Sequence, residues 1–387
     1  MRDTEDMRHT EETRVELTTV AEPGSGPYDI VTGPDGALWL TLAHSGEIAR
    51  LTMDGHSDRY ALGTPACTPT VLTPGPDGAL WFARTGDHRI GRITAGDRPG
   101  NGDGPGNGGG FMAGDRPRNG DRPRNGDRDR FTAGDRFAAG EERGSGGANG
   151  VRVVGETAEF ALPTPQCGPY GIVTGADGAL WFTEMNADRI GRITTDGEVT
   201  EFPLPLSGGF PSGIAAGPDG ALWFTLHKAD AVGRIDLEGH VTVYPLPTKG
   251  AGPVRITCGP SLADGPGLTG DRRGAGDTGP AGGGELWFAE IGAGQIGRIT
   301  VEGRIEEFPL PDRACKPHAV AVAPDGVCWF TEWGANRVGA LAPDGHVTEH
   351  PLPAPGGEPH GLTVGPDGAI HVALETGEVA RVSTVAP

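Results

Sequence analysis

The chain has 387 residues and a formal charge of −20 at pH 7, from 32 Lys and Arg against 52 Asp and Glu. That acidic balance argues against a nucleic-acid partner and for a soluble, self-repelling surface, expected to be monomeric. No apolar run approaches the ~20 residues that span a bilayer, and the opening MRDTEDMRHTEETR is charged throughout, unlike a secretory leader, so the expectation is a cytoplasmic protein with no membrane partner.

Residues 1–14 read as a disordered tail, and Val15–Val20 as a lone strand-like run. Beyond them one unit recurs, with copies beginning near Pro27, Thr68, Pro169, Pro211, Pro253, Pro317 and Pro359. The sixth copy is the clearest, with short β-type runs at His318–Val322, Val327–Glu332, Arg337–Leu341 and His346–His350. Asp-Gly turns join its runs, because both residues tolerate the positive φ of a tight hairpin. The Trp of the second run recurs at Trp39, Trp81, Trp181, Trp223, Trp287 and Trp329, and His371 takes the seventh place. The intervals are 42, 100, 42, 64, 42 and 42, so two copies contain insertions of 100 − 42 = 58 and 64 − 42 = 22 residues.

Seven copies of a four-strand unit predict an all-β fold: one seven-bladed β-propeller of four-stranded antiparallel blades over 15–383. The seventh copy has only three runs, so the N-terminal strand is expected to complete it and close the ring without exposing a long edge. The insertions, 95–157 in blade two and 261–283 in blade five, are rich in Gly, Pro, Asp and Arg, and the first repeats the word AGDR. Both have too few apolar residues to offset ordering entropy and read as disordered. They fall in a 3–4 turn and a 1–2 turn, so both point from one face and leave the other open.

On that open face, the residue after the first Pro of each copy, or its equivalent, converges on the channel mouth. The seven are Tyr28, Thr70, Tyr170, Ser212, Val254, His318 and His360. Copies six, seven and one are neighbours in a closed ring and bring His318, His360 and Tyr28 together. The seventh copy is also unusual in its acids. Glu358 precedes its Pro, and Leu374-Glu375 stands where copies three, five and six have Glu184, Glu290 and Glu332. Those three either form a ring of functional carboxylates or serve the architecture, capping backbone groups or pairing with Arg189 or Arg337. The recurring Trp and Phe of run two read as core, and the GR[IV] words at Arg92, Arg192, Arg234 and Arg298 as structural. Cys67, Cys167, Cys258, Cys315 and Cys328 have no metal-finger spacing and read as reduced thiols.

The words GPYGIV, WFTEMNADRIGRIT, KPHAVAV, WFTEWGANRVG and EPHGL resemble the virginiamycin B lyase, or streptogramin B lyase, family of seven-bladed propellers. The likeness covers nearly all of 15–383 outside the insertions. It implies a carbon–oxygen lyase that opens a cyclic depsipeptide lactone by elimination, with Mg²⁺. By motif, His360 of EPHG would be the proton acceptor, Glu358 and Glu375 the metal ligands, and His318 a substrate contact; Tyr28 is expected to join His318 there. The chain departs from the family pattern at His371, in the spacing from His360 to His371, and in its insertions. A propeller lactonase and a non-catalytic binding module are the competing readings.

Overall fold

The computed structural model describes residues 12–94, 157–259 and 284–385. The expected tail and insertions, apart from residues 12–14 and 157, lie outside them. The described strands form seven four-stranded antiparallel sheets, each in simple meander order. The blades span 27–61, 69–161, 169–203, 211–245, 253–309, 317–351 and 359–385, the last completed by strand Glu12–Thr19. The protein is a seven-bladed β-propeller.

Burial within a blade follows from radial packing. The second strand is sandwiched between neighbouring blades, and all five residues of Leu180–Glu184 are buried. The outer strand has one wet face, and Val199–Pro203 alternates accordingly. Each core cluster therefore joins two blades: Trp39, Ile48 and Tyr60 of blade one pack with Leu72, Leu80 and Phe82 of blade two. Within a blade the Trp stacks on an outer-strand ring, as Trp181 does on Phe202 at 5.4 Å between centroids. The GR[IV] arginines are braces. Arg192 Nε donates to Asp177 at 2.6 Å, and the same carboxylate accepts from the Trp181 indole at 3.1 Å. His371 reproduces the indole bond, with Nε2 3.0 Å from Asp367 Oδ1, so its substitution for Trp leaves that brace in place.

Closure is as expected, but the closing strand starts earlier than the sequence suggests. It runs from Glu12, not Val15, and pairs residue by residue with Glu378–Val385, from Glu12↔Val385 to Thr19↔Glu378. The charge of residues 12–14 suggests a disordered tail. On an outer strand with one solvated face, charge is no obstacle, and the eight-residue partner offers a longer ladder than the other blades have. Thr157, placed in the first insertion, opens the outer strand of blade two. The five cysteines are all free thiols. No helix among the described residues is long and apolar enough to cross a membrane.

Candidate active site

All seven innermost strands break register just after their first Pro, as between Pro317 and Val320 and between Pro359 and Leu362. This bulge takes the residue after the Pro out of the regular ladder at the channel mouth. A buried Thr of the second strand clamps it. Thr331 Oγ1 accepts from Ala319 N at 2.9 Å and donates to the His360 carbonyl at 2.8 Å, tying the bulge of blade six to that of blade seven. The position of His360 is thus set by the neighbouring blade.

The structure brings His318, His360 and Tyr28 together. Ring centroids lie 5.3 Å apart for the two histidines, 4.9 Å for Tyr28–His360 and 5.8 Å for Tyr28–His318. The Tyr28 hydroxyl bonds the Tyr170 hydroxyl at 2.6 Å and sits 3.4 Å from His318 Nε2, so rings from blades one, three and six meet at the mouth. Burial, followed by the nearby His360 and Arg255, pushes the His318 pKa down to about 3, so His318 is a neutral imidazole at working pH. Burial likewise raises the Tyr28 phenol well above its ordinary value. Arg255 of blade five reaches across to the buried Asp29 carboxylate of blade one as a part-buried ion pair.

Glu375 lies beside His360, its Oε2 3.3 Å from His360 Nε2 and its Oε1 3.0 Å from His44 Nδ1. The bond to His360, then the charge of His44, lowers its pKa against the desolvation penalty. His360 Nδ1 and His318 Nδ1 are buried and have no hydrogen-bond partner. Glu358 takes φ 39°, a strained left-handed value for a side-chain-bearing residue. Its Oε2 accepts from the Trp333 indole at 3.2 Å. Glu375 N donates to Gly357 O at 2.8 Å, which joins the backbones bearing the two carboxylates.

Sequence reasoning did not single out His44, Trp333 or the Arg255–Asp29 pair. Trp333 sits inside a quoted word, WFTEWGANRVG. His44 had no such signal: it reaches Glu375 only because blade one closes onto blade seven.

The virginiamycin B lyase family model matches residues 13–102, 147–263 and 272–382. The chain belongs to the virginiamycin B lyase family. A solved virginiamycin B lyase from Staphylococcus aureus is similar over 97% of this chain and 100% of its own, with 31% identity and TM-score 0.73. A catalytically inactive His-to-Ala variant of that enzyme, solved with quinupristin, matches at 30% identity and TM-score 0.73, over 97% of this chain and 100% of its own. Among curated relatives, the virginiamycin B lyase of Nocardia farcinica is 58% identical over 40 residues, 10% of this chain and 14% of that protein. The alignments with the first such relatives thus span about one seventh of their length.

The lyase family fold offers two carboxylate sets, and their surroundings differ. Glu184, Glu290 and Glu332 are fully buried. Glu332 pairs with Arg337 at 2.6 Å, one of the expected pairings, and Glu290 accepts from Gln295 at 2.6 Å. Glu184 forms no ion pair with Arg189, one of the pairings the sequence left open; its carboxyl is buried beside the Cys167 thiol. Burial, then the nearby Glu201, pushes the Glu184 pKa up to about 8, and burial raises Glu290 to about 8 and Glu332 to about 7. For Glu184, which has no ion pair, this points to an architectural carboxyl that is neutral when folded.

A raised folded pKa means that the folded state holds the proton more tightly than the unfolded chain. The contribution of Glu184 to stability is therefore fully present below its unfolded value near 4.5 and is lost as pH rises through about 8. Thermal melts of the wild type should fall between pH 5 and 9. Glu184→Gln should flatten that decline by up to a few kcal/mol, on the order of 1.4 kcal/mol for each tenfold difference in proton affinity between the folded and unfolded chain. Parallel pH profiles for the two proteins would show that Glu184 is not neutral when folded.

Proposed function

We propose that this protein is a carbon–oxygen lyase that linearises streptogramin B-type cyclic depsipeptides, with His360 as the proton acceptor. The observation that supports this most directly is the grouping of His360 with Glu375, His318 and Tyr28 at one channel mouth, in a chain of the virginiamycin B lyase family. Glu375 Oε2 lies 3.3 Å from His360 Nε2. The imidazole of His360 would take the Cα proton of the residue that forms the ester, and the Glu375 carboxylate would stabilise the resulting imidazolium. The C–O bond breaks, its electrons leave with the carboxylate, and a double bond forms in the former alcohol residue. Neutral His318 and the hydroxyl of Tyr28 would orient the depsipeptide ring at the mouth without placing a second charge there.

The donor chemistry fits Mg²⁺. Glu358 and Glu375 offer hard oxygen ligands on backbones tied together through Gly357. No group of three or more His, Cys, Asp or Glu donors converges among the described residues, so a cation held here would keep several waters, as Mg²⁺ commonly does. When bound, it would stabilise negative charge developing on the carbonyl oxygen beside Cα.

Mass spectrometry after incubation with quinupristin and Mg²⁺ tests the reading. Elimination yields an isomer of the substrate, hydrolysis adds one water, and a binding module leaves the substrate intact. Glu358→Gln and Glu375→Gln should each weaken metal affinity by about tenfold or more, as expected when one charged ligand of a weakly chelated cation is removed. Calorimetric Mg²⁺ titration reads this without reference to turnover, and excess Mg²⁺ should partly restore activity. Unchanged Mg²⁺ affinity in both variants would remove the metal from this site.

A further inference from the structure

In blades one to four, an Asp of the first hairpin turn, the Trp of the second strand and an Arg of the third form one brace. Asp35, Asp77, Asp177 and Asp219 accept from the indole N–H at 2.9–3.1 Å and from the arginine Nε at 2.6–2.7 Å. In blades one, two and four the guanidinium carbon lies 5.9 Å from the indole centroid. Blade seven keeps the brace through His371, Asp367 and Arg381. In blade five the first hairpin turn lies outside the described residues; Arg298 is 5.2 Å from the Trp287 ring and pairs with Glu285 and Glu306.

Blade six keeps the acid and the indole and lacks the cation. Ala340 stands opposite Trp329, at the register position held by Arg192 opposite Trp181. Among the described residues, the Asp325 carboxylate accepts only from Val327 N, at 3.0 Å, and the Trp329 indole N–H makes no hydrogen bond. Trp329 is half-buried, whereas Trp39, Trp81, Trp181 and Trp223 are fully buried. The missing arginine leaves a cleft of about 870 Å³ between blades six and seven, lined by Asp325, Trp329 and Ala340 with His346 and His350. Arg381 lines the far wall, its charge taken by Asp367 at 2.7 Å and Glu16 at 3.1 Å. The cleft opens beside the 1–2 and 3–4 turns, on the face away from His360.

We propose that this cleft is a binding site for a guanidinium cation. The two groups that hold arginine in blades one to four are present, with space where the arginine would lie. A planar fork can bond the Asp325 carboxylate while stacking on the Trp329 face, and an ammonium cannot do both as well. The guanidinium could belong to a free small molecule or to an arginine side chain of a peptide, and the chemistry of the site is the same for both. The inference does not depend on the lyase reading, because it uses none of the mouth residues.

Calorimetric titration of the full chain with methylguanidinium, with methylammonium and with the peptide acetyl-Gly-Arg-Gly-amide tests it. Millimolar binding of either guanidinium probe is expected, and whichever binds more tightly identifies the source. Methylammonium should bind several-fold more weakly. Ala340→Arg supplies the missing brace and should abolish binding while holding or raising Tm, which also serves as the folding control. Asp325→Asn should weaken binding about tenfold, in keeping with loss of a charge-assisted hydrogen bond. No binding of either guanidinium probe at millimolar concentration overturns the site. So does binding that survives Ala340→Arg, or equal affinity for methylammonium.

Discussion

Replacing His360 with alanine is expected to lower kcat for a streptogramin B lactone by on the order of 10²–10⁴, the usual cost of removing a general base. Substrate affinity and folding should stay close to wild type. The side chain is only partly exposed, at 14%, and its position is set through its backbone carbonyl by Thr331, which the substitution leaves untouched. The lost function is specific to the ring: of the two histidines that follow the first Pro of their blades, His360 lies against the Glu375 carboxylate and His318 does not. His318 lies 5.3 Å away between centroids, but its Nε2 faces the Tyr28 hydroxyl, and burial keeps it from accepting a proton at working pH. His318→Ala should therefore act mainly on KM. The measurement is steady-state turnover with Mg²⁺ titrated, on protein shown to be folded. Near wild-type kcat for His360→Ala, together with a dead Glu184 or Glu332 variant, would move the chemistry to the buried carboxylates.

The fold was legible because its signals are local and repeated. A Trp recurring at 42-residue spacing outside the two insertions fixes the unit, and the Asp-Gly turns fix the direction of each hairpin. The convergence of Tyr28, His318 and His360 was also legible, since equivalent positions in a ring must meet near its axis. What stayed hidden is created by closure and by irregularity. The bulge after each first Pro has no sequence signature, yet it determines how His360 is presented. His44 meets Glu375 across a gap of 331 positions, 375 − 44, through the junction of the first and last blades. The start of the closing strand at Glu12 was masked by charge that an outer strand tolerates. Spacing alone cannot distinguish a carboxylate at the mouth from one between blades, so only burial decides the place of Glu184, Glu290 and Glu332. Ala340 was visible as a break in the GR[IV] word, but its consequence needed the Asp–Trp–Arg geometry of the other blades.

Removing residues 1–21 should destabilise the propeller far more than removing 1–11, and should lower activity before the fold is lost. The shorter deletion leaves the whole closing strand in place. The longer one removes all eight residues paired with Glu378–Val385 and exposes that strand as an edge. It also removes Val20 and Ala21, which are buried with Leu38, Ala373 and Val379, and Val15, which packs against Ile370 and Val382. Full burial of one aliphatic side chain contributes about 1.5–3 kcal/mol, and each ladder hydrogen bond about 1 kcal/mol net. The sum is a large part of the ~5–15 kcal/mol by which a domain is stable. The effect on activity follows from Gly377, whose carbonyl accepts from Val20 N at 2.9 Å and Ala21 N at 3.0 Å. These bonds hold the turn that presents Glu375 to His360, so their loss should loosen the pair at temperatures where most blades remain folded. Thermal melts and turnover of the two truncations, with and without a synthetic peptide of residues 12–21, separate the two effects. The peptide should restore both melting temperature and activity to the longer truncation. Identical melting of the two truncations would mean that the N-terminal strand does not close the ring.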